Sequence, residues 1–162
     1  MDAPTLRTCQ NDMGCTVMNS LYEADFFQWT QETSARLRRG EFAKIDVPAL
    51  VEEVEDLGKR QQSALQSRLA VLIGHLLKWD RQAAKRSNGW QATIKLQRSR
   101  IERLLSQSPS LRPFLCETLP QAYSDAVLLA IKDTGLDEKL FPKTCPYTIE
   151  EILSSKDVSG LC

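Results

Sequence analysis

Residues 65–80 read LQSRLAVLIGHLLKWD, and their pattern decides the fold. Leu65, Leu69, Leu72, Ile73 and Leu76 recur at helical spacing, while Val71 and Leu77 widen the stripe toward a second face. An apolar surface that broad needs helices on more than one side. The stretch therefore reads as the central helix of an all-α domain. It carries the only histidine of the chain, His75, and ends in Lys78-Trp79-Asp80.

Upstream, Asp46-Val47-Pro48 is a helix start, with aspartate as N-cap and proline tolerated in the first turn. Glu52, Glu53, Glu55 and Asp56 come next, the earliest of them favouring the positive end of the helix dipole. The apolar stripe Leu50, Val54, Leu57, Ala64/Leu65 runs straight into the central stretch, which predicts one long helix over 47–81. Gly58 is the place where it would kink or split, since glycine costs roughly 1 kcal/mol against alanine inside a helix.

The remaining elements are arranged around that helix. The spacing of Phe26, Trp29, Thr33 and Leu37 predicts a helix over 22–39, with basic residues at its end and Gly40 as its cap. Ser87-Asn88-Gly89 is a cap and turn signal before a helix over 90–106, whose seam is Trp90, Ile94, Gln97, Ile101 and Leu104. So narrow a seam suits near-antiparallel packing on the long helix. Ser108-Pro109 reads as a new start, and Pro113 and Pro120 divide the next stretch into a short helix near 109–118 and a longer one near 119–134. The buried face of the longer one is Leu119, Tyr123, Ala126, Val127 and Ala130, and Gly135 ends it. Thr148-Ile149-Glu150-Glu151 is a capping box for a last short helix reaching about residue 154. The expectation is a helical bundle of four to five helices over 21–154, with a disordered leader over 1–20 and a flexible tail over 155–162.

At 162 residues the chain is one domain's worth and long enough to bury a real core. Apolar residues make up 42 % and charged residues 26 %, which excludes a disordered chain. Net charge is zero, so any case for nucleic acid or membrane must come from local clustering. No run approaches the roughly 20 apolar residues of a membrane span. No basic segment followed by an apolar one stands at the N-terminus, which argues against a secretory signal. Five cysteines at wide spacing, without a CxxC pair, fit reduced thiols in the cytoplasm rather than a disulfide frame or a zinc site.

Three groups of residues are candidates for chemistry. His75 would need a partner. The 20 residues from Glu55 to His75 span about 30 Å of continuous helix, so the two cannot share a site within one straight helix. Asp25 or the C-terminal acidic groups could reach His75 from other helices; otherwise it is a core-edge histidine. Glu52 and Glu55, three apart, resemble half of a metal site in a helical bundle, but the Glu-x-x-His element is absent and a solvated helix start explains them better. The segment 81–103 carries Arg81, Lys85, Arg86, Lys95, Arg98, Arg100 and Arg103 against the single Glu102, bracketed by Trp79 and Trp90. Clustered cations beside aromatics suit phosphate backbones or unpaired bases. The competing reading pairs these cations with the acidic half of the long helix, within a chain or across a dimer, and zero net charge favours it. No metal or cofactor is expected, and no catalytic triad or phosphate-binding loop appears.

The strings YEADFFQWTQE, LVEEVEDLG, LAVLIGHLLKW, SPSLRPFL, AYSDA and FPKTCPYT occur in an order that resembles the domain-of-unknown-function-29 family, bacterial proteins abundant in cyanobacteria. The resemblance covers about 21–153. It implies an all-helical bundle and no assigned activity. The motif positions it carries over are Asp25, Trp29, Glu52, Glu53, Glu55, His75, Lys78, Trp79, Trp90, Arg98, Tyr123, Pro142, Cys145, Pro146 and Tyr147, several of them polar residues that a bundle core does not demand. The leading expectation is a non-enzymatic protein–protein interaction module, as a homodimer or with another protein. The alternative acts on nucleic acid, as a nuclease-like or toxin–antitoxin component. It would use His75, Lys78, Glu52, Glu55 and Asp25 for chemistry, and Trp79, Trp90, Arg98, Arg100 and Arg103 for binding.

Overall fold

A computed structural model describes residues 21–154. The leader expected over 1–20 and the tail expected over 155–162 lie outside the described residues. The described residues are all-α, with no strand among them. Close contacts divide the chain into two compact units, one running to Gly58 and the other starting at Lys59.

In the first unit, residues 21–24 are helical and α1 follows at Phe26–Arg39. The helix expected over 22–39 is interrupted at Asp25. Its carboxylate accepts a hydrogen bond from the Gln28 amide at 2.9 Å, and such a local bond competes with helix continuation. Gly40 ends α1 in the left-handed region (φ 72°), where a side chain would be strained. Trp29 is the core of the unit, met edge-on by Tyr22 and packed with Ala49 and Leu50. The Tyr22 hydroxyl donates to Glu53 at 2.7 Å, fixing which side of the next helix faces this core.

That next helix, α2, runs unbroken from Val47 to Arg81, through Gly58. Asp46 caps it as expected, accepting from the Ala49 amide at 3.2 Å. A Cβ at Gly58 would meet nothing within 4 Å, so the glycine answers no steric demand there. Its cost of about 1 kcal/mol is absorbed by a helix that is already nucleated on both sides. Ala49, Leu50 and Glu53 turn toward Trp29 and Tyr22, which leaves the row Val47, Val51 and Val54 outside: these are 54 %, 49 % and 60 % exposed. Leu57 is exposed as well, so of the upstream apolar stripe only Leu50 packs in this unit.

The second unit is a bundle built on the rest of α2, with α3 (Asn88–Gln107), α4 (Phe114–Thr134) and the short α5 (Ile149–Leu153). Side-chain pairs fix the directions. Gln61 meets Ser108 and Lys78 meets Trp90, so α3 runs antiparallel to α2. Gln66 meets Asp125 and Lys78 meets Asp133, so α4 runs parallel to it. Leu65, Leu69, Leu72, Ile73, Ile94, Ile101, Ala122, Ala126 and Ala130 are fully buried among the three. Gly74 marks a close approach of α2 to α4, where an added Cβ would stand 3.3 Å from the Ala126 carbonyl oxygen.

Two expectations about the region after residue 106 are corrected. The Ser108-Pro109 start yields only a 3₁₀ turn, Pro109–Leu111, because Pro113 has no amide proton to carry the helix on; Ser108 makes no side-chain cap, and its hydroxyl donates to Gln61. The two helices expected near 109–118 and 119–134 are one, α4, with Pro120 inside it. Proline in a helix costs about 3 kcal/mol. Here Pro120 is exposed, while Leu115, Ala122, Tyr123 and Ala126 bury one stripe that spans it. Continuous packing outweighs the local break. By contrast the Thr148–Glu151 capping box is present as read, and Gly135 closes α4 at φ 69°.

Candidate functional site

Lys78 stands in the broad apolar run of α2 and is 3 % exposed. A buried ammonium costs several kcal/mol unless it is paired and hydrogen-bonded. Three helices supply what it needs. Asp133, in the last turn of α4, accepts from Lys78 Nζ at 2.6 Å. The ring of Trp90, in the first turn of α3, lies under the ammonium at 5.3 Å from its centroid. His75, one turn earlier on α2, places Nε2 at 3.3 Å.

The histidine tautomer is set by its other contact. His75 Nδ1 lies 2.9 Å from the Val71 carbonyl, which only accepts, so Nδ1 carries the proton and Nε2 offers a lone pair to Lys78. The three ammonium protons thus have a carboxylate, an imidazole nitrogen and an indole face to meet. A lysine so engaged clamps helix ends together.

The electrostatics agree. Burial is the main influence pulling His75 below the usual imidazole range; the Lys78 charge adds to it, and the Val71 bond and Asp133 oppose it. The hydrogen bond from Lys78 holds the Asp133 carboxyl below its ordinary range. Because the folded His75 binds its proton less readily than the free side chain at 6.5, the unfolded chain takes up more protons just below that pH. Stability should be full above about pH 6.5 and fall as the pH drops through the lower folded value. Urea midpoints at pH 7.5 and 5.5 should show that fall in the native chain, and His75→Gln should remove it. An equal pH dependence in both proteins would refute the assignment.

A second set of polar contacts pins the C-terminal arm. The Tyr123 hydroxyl donates to the Pro142 carbonyl at 2.7 Å, the Cys145 thiol to the Tyr147 carbonyl, and the Tyr147 hydroxyl to Asp80. Burial raises the Cys145 pKa, which keeps it a thiol and a poor nucleophile. The Arg98 guanidinium donates to the carbonyls of Ile152 at 2.8 Å and Glu151 at 3.3 Å, satisfying the end of α5. Arg86 donates to the Trp79 carbonyl and covers the Trp79 ring at 5.0 Å.

The model of the family "Domain of unknown function DUF29" matches residues 21–156, most of the chain. The chain belongs to the DUF29 family. Neither the curated proteins nor the solved structures include a match.

The DUF29 motif positions sort by contact into a few clusters. His75, Lys78 and Trp90 meet in the clamp, and Tyr123, Pro142, Cys145 and Tyr147 meet in the arm. Asp25, Glu52 and Glu55 belong to the first unit, where Asp25 is a helix cap and the two glutamates are exposed. Trp79 is buried, Trp90 half-buried and Arg98 engaged with backbone. Arg100 and Arg103 are exposed, together with Lys95. Among the described residues, no group of three or more His, Cys, Asp or Glu side chains could hold a metal ion. No helix among them is long and apolar enough to cross a membrane.

Asp133 is the site residue that sequence reasoning missed. The available signal was Lys78 itself, since a lysine inside so broad an apolar run requires a counter-charge. Nothing in the order of residues says which of the 21 acidic side chains supplies it.

Proposed function

We propose that this DUF29 chain is a non-enzymatic protein–protein interaction module that self-associates through the apolar row of its first unit. The observation that carries the reading is Val47, Val51 and Val54 standing on one helix face at about half exposure each, with Leu57 beside them at 58 %. Phe27 and Phe42 of the same unit are 73 % and 65 % exposed. Apolar side chains gathered at this density in so small a unit mark an interaction surface. The polar residues most suited to chemistry support the same conclusion, because His75, Lys78 and Arg98 are engaged in holding helices together. A cytoplasmic setting is part of the reading, consistent with the free thiols of Cys116 and Cys145.

The test is the mass in solution. Sedimentation equilibrium of the full chain should return twice its 18.3 kDa. Val51→Glu/Val54→Glu should return the monomer with helical circular dichroism unchanged, since both positions are exposed in the single chain. A monomeric native chain at tens of micromolar, or a dimeric double variant, would overturn the proposal.

A further inference from the structure

We infer that the cleft between α4 and the segment following it binds a short apolar peptide in its zwitterionic form. This goes beyond the self-association proposed above and does not depend on it, since every residue used lies in the second unit. After Gly135 the chain returns along α4, and residues 137–143 form one wall of the cleft. Tyr123, Ser124, Val127 and Leu128, at steps of one and three, share a side of α4 and form the other. The cleft has a volume of about 680 Å³. Small-molecule sites fall between about 300 and 1,000 Å³.

Its walls are fixed before any ligand arrives. The Tyr123 hydroxyl ties Pro142 to α4 at 2.7 Å, and Asp137 caps the 3₁₀ turn Glu138–Leu140 by accepting the Lys139 amide proton at 2.9 Å. Buried Tyr123, Val127 and Phe141 give the cleft an apolar floor, and Leu128 stands at its edge, 64 % exposed. Two strings of the sequence, AYSDA and FPKTCPYT, meet here and supply half of the lining.

The charges of the lining decide what fits over that floor. They are the carboxylates of Asp137 and Glu138 and the ammoniums of Lys139 and Lys143, which balance. Glu138, Lys139 and Lys143 are exposed and make no ion pair among the described residues. A pure anion would meet two carboxylates as well as two ammoniums, and a pure cation the reverse. An apolar body with one charge of each sign matches the balanced lining, its carboxylate toward Lys139 or Lys143 and its ammonium toward Glu138. A free amino acid and a short peptide share this chemistry, and a cleft of drug-sized volume favours the peptide.

Calorimetric titration of the full chain with L-leucyl-L-phenylalanine tests the inference. The dipeptide should bind, and its N-acetyl and C-terminal amide derivatives should each bind about tenfold or more weaker, because each lacks one charge-assisted contact. Leu128→Glu and Lys139→Glu/Lys143→Glu change only exposed side chains. Each should weaken the dipeptide by about tenfold or more, with circular dichroism and sedimentation unchanged. No binding of the dipeptide at millimolar concentration, undiminished affinity in both variants, or equal affinity for a derivative lacking one charge would overturn the inference. Tighter binding of L-phenylalanine than of the dipeptide would overturn it in favour of a free amino acid. The mass of the native chain in solution decides the self-association separately, whatever the titrations show.

Discussion

Gly74→Leu should destabilise the protein by about 3 kcal/mol or more, seen as a large fall in the urea midpoint. At this position α2 and α4 run so close that even a Cβ would stand 3.3 Å from the Ala126 carbonyl oxygen and 3.6 Å from Leu129 Cβ. Leucine adds three further carbons where two backbones leave no room. The helices must part, and the core that holds Leu72, Ile73 and Leu77, now at most 1 % exposed, together with Ala122, Ala126 and Ala130 is opened. Gly74→Ala separates this effect from helix propensity. It gains about 1 kcal/mol of intrinsic helix preference against one tight contact, so its net change should be small. Similar midpoints for the alanine and leucine variants would show that the two helices can slide apart freely.

Asp133→Ala should cost about 2 kcal/mol, and Lys78→Met distinctly less. The asymmetry comes from burial: the Lys78 side chain is 4 % exposed and that of Asp133 is 47 %. Removing the carboxylate leaves an ammonium in the core with a neutral imidazole and an indole face. Removing the ammonium leaves a carboxylate that water already reaches. Its cost stays below the 3–5 kcal/mol of a fully buried broken pair because solvent partly screens this one. The double variant Lys78→Met/Asp133→Ala should resemble Lys78→Met alone, giving a coupling of about 2 kcal/mol, the whole cost of Asp133→Ala. Thermal or urea denaturation of the four proteins would measure it, and strictly additive losses would mean that the two side chains do not stabilise one another.

The local rules were written along the chain and could be read there. Asp46 before Val47-Pro48, the three-and-four spacing through Leu76, Gly40, Gly135 and the Thr148–Glu151 box each act within one or two helical turns, so neighbouring residues determined the helix and its ends. Where a local signal failed, packing from elsewhere had overruled it. Pro120 sits inside α4 because a buried stripe passes through it. The candidate site was legible only in part. His75 and Lys78 stand three apart on one helix, so their meeting is a consequence of helical spacing alone.

Asp133 lies 55 residues from Lys78, and Arg98 reaches carbonyls 53 and 54 residues away. Both contacts depend on how helices settle against one another. The same holds for exposure. In sequence, Val47, Val51 and Val54 keep the spacing that further along gives Leu65, Leu69, Leu72 and Leu76, and the pattern marks both rows alike as apolar. Hydrophobic periodicity determined that each row would seek cover. The tertiary structure alone decided that the second is sealed by α3 and α4 while the first stays open, because cover is supplied by other helices whose positions no local pattern encodes.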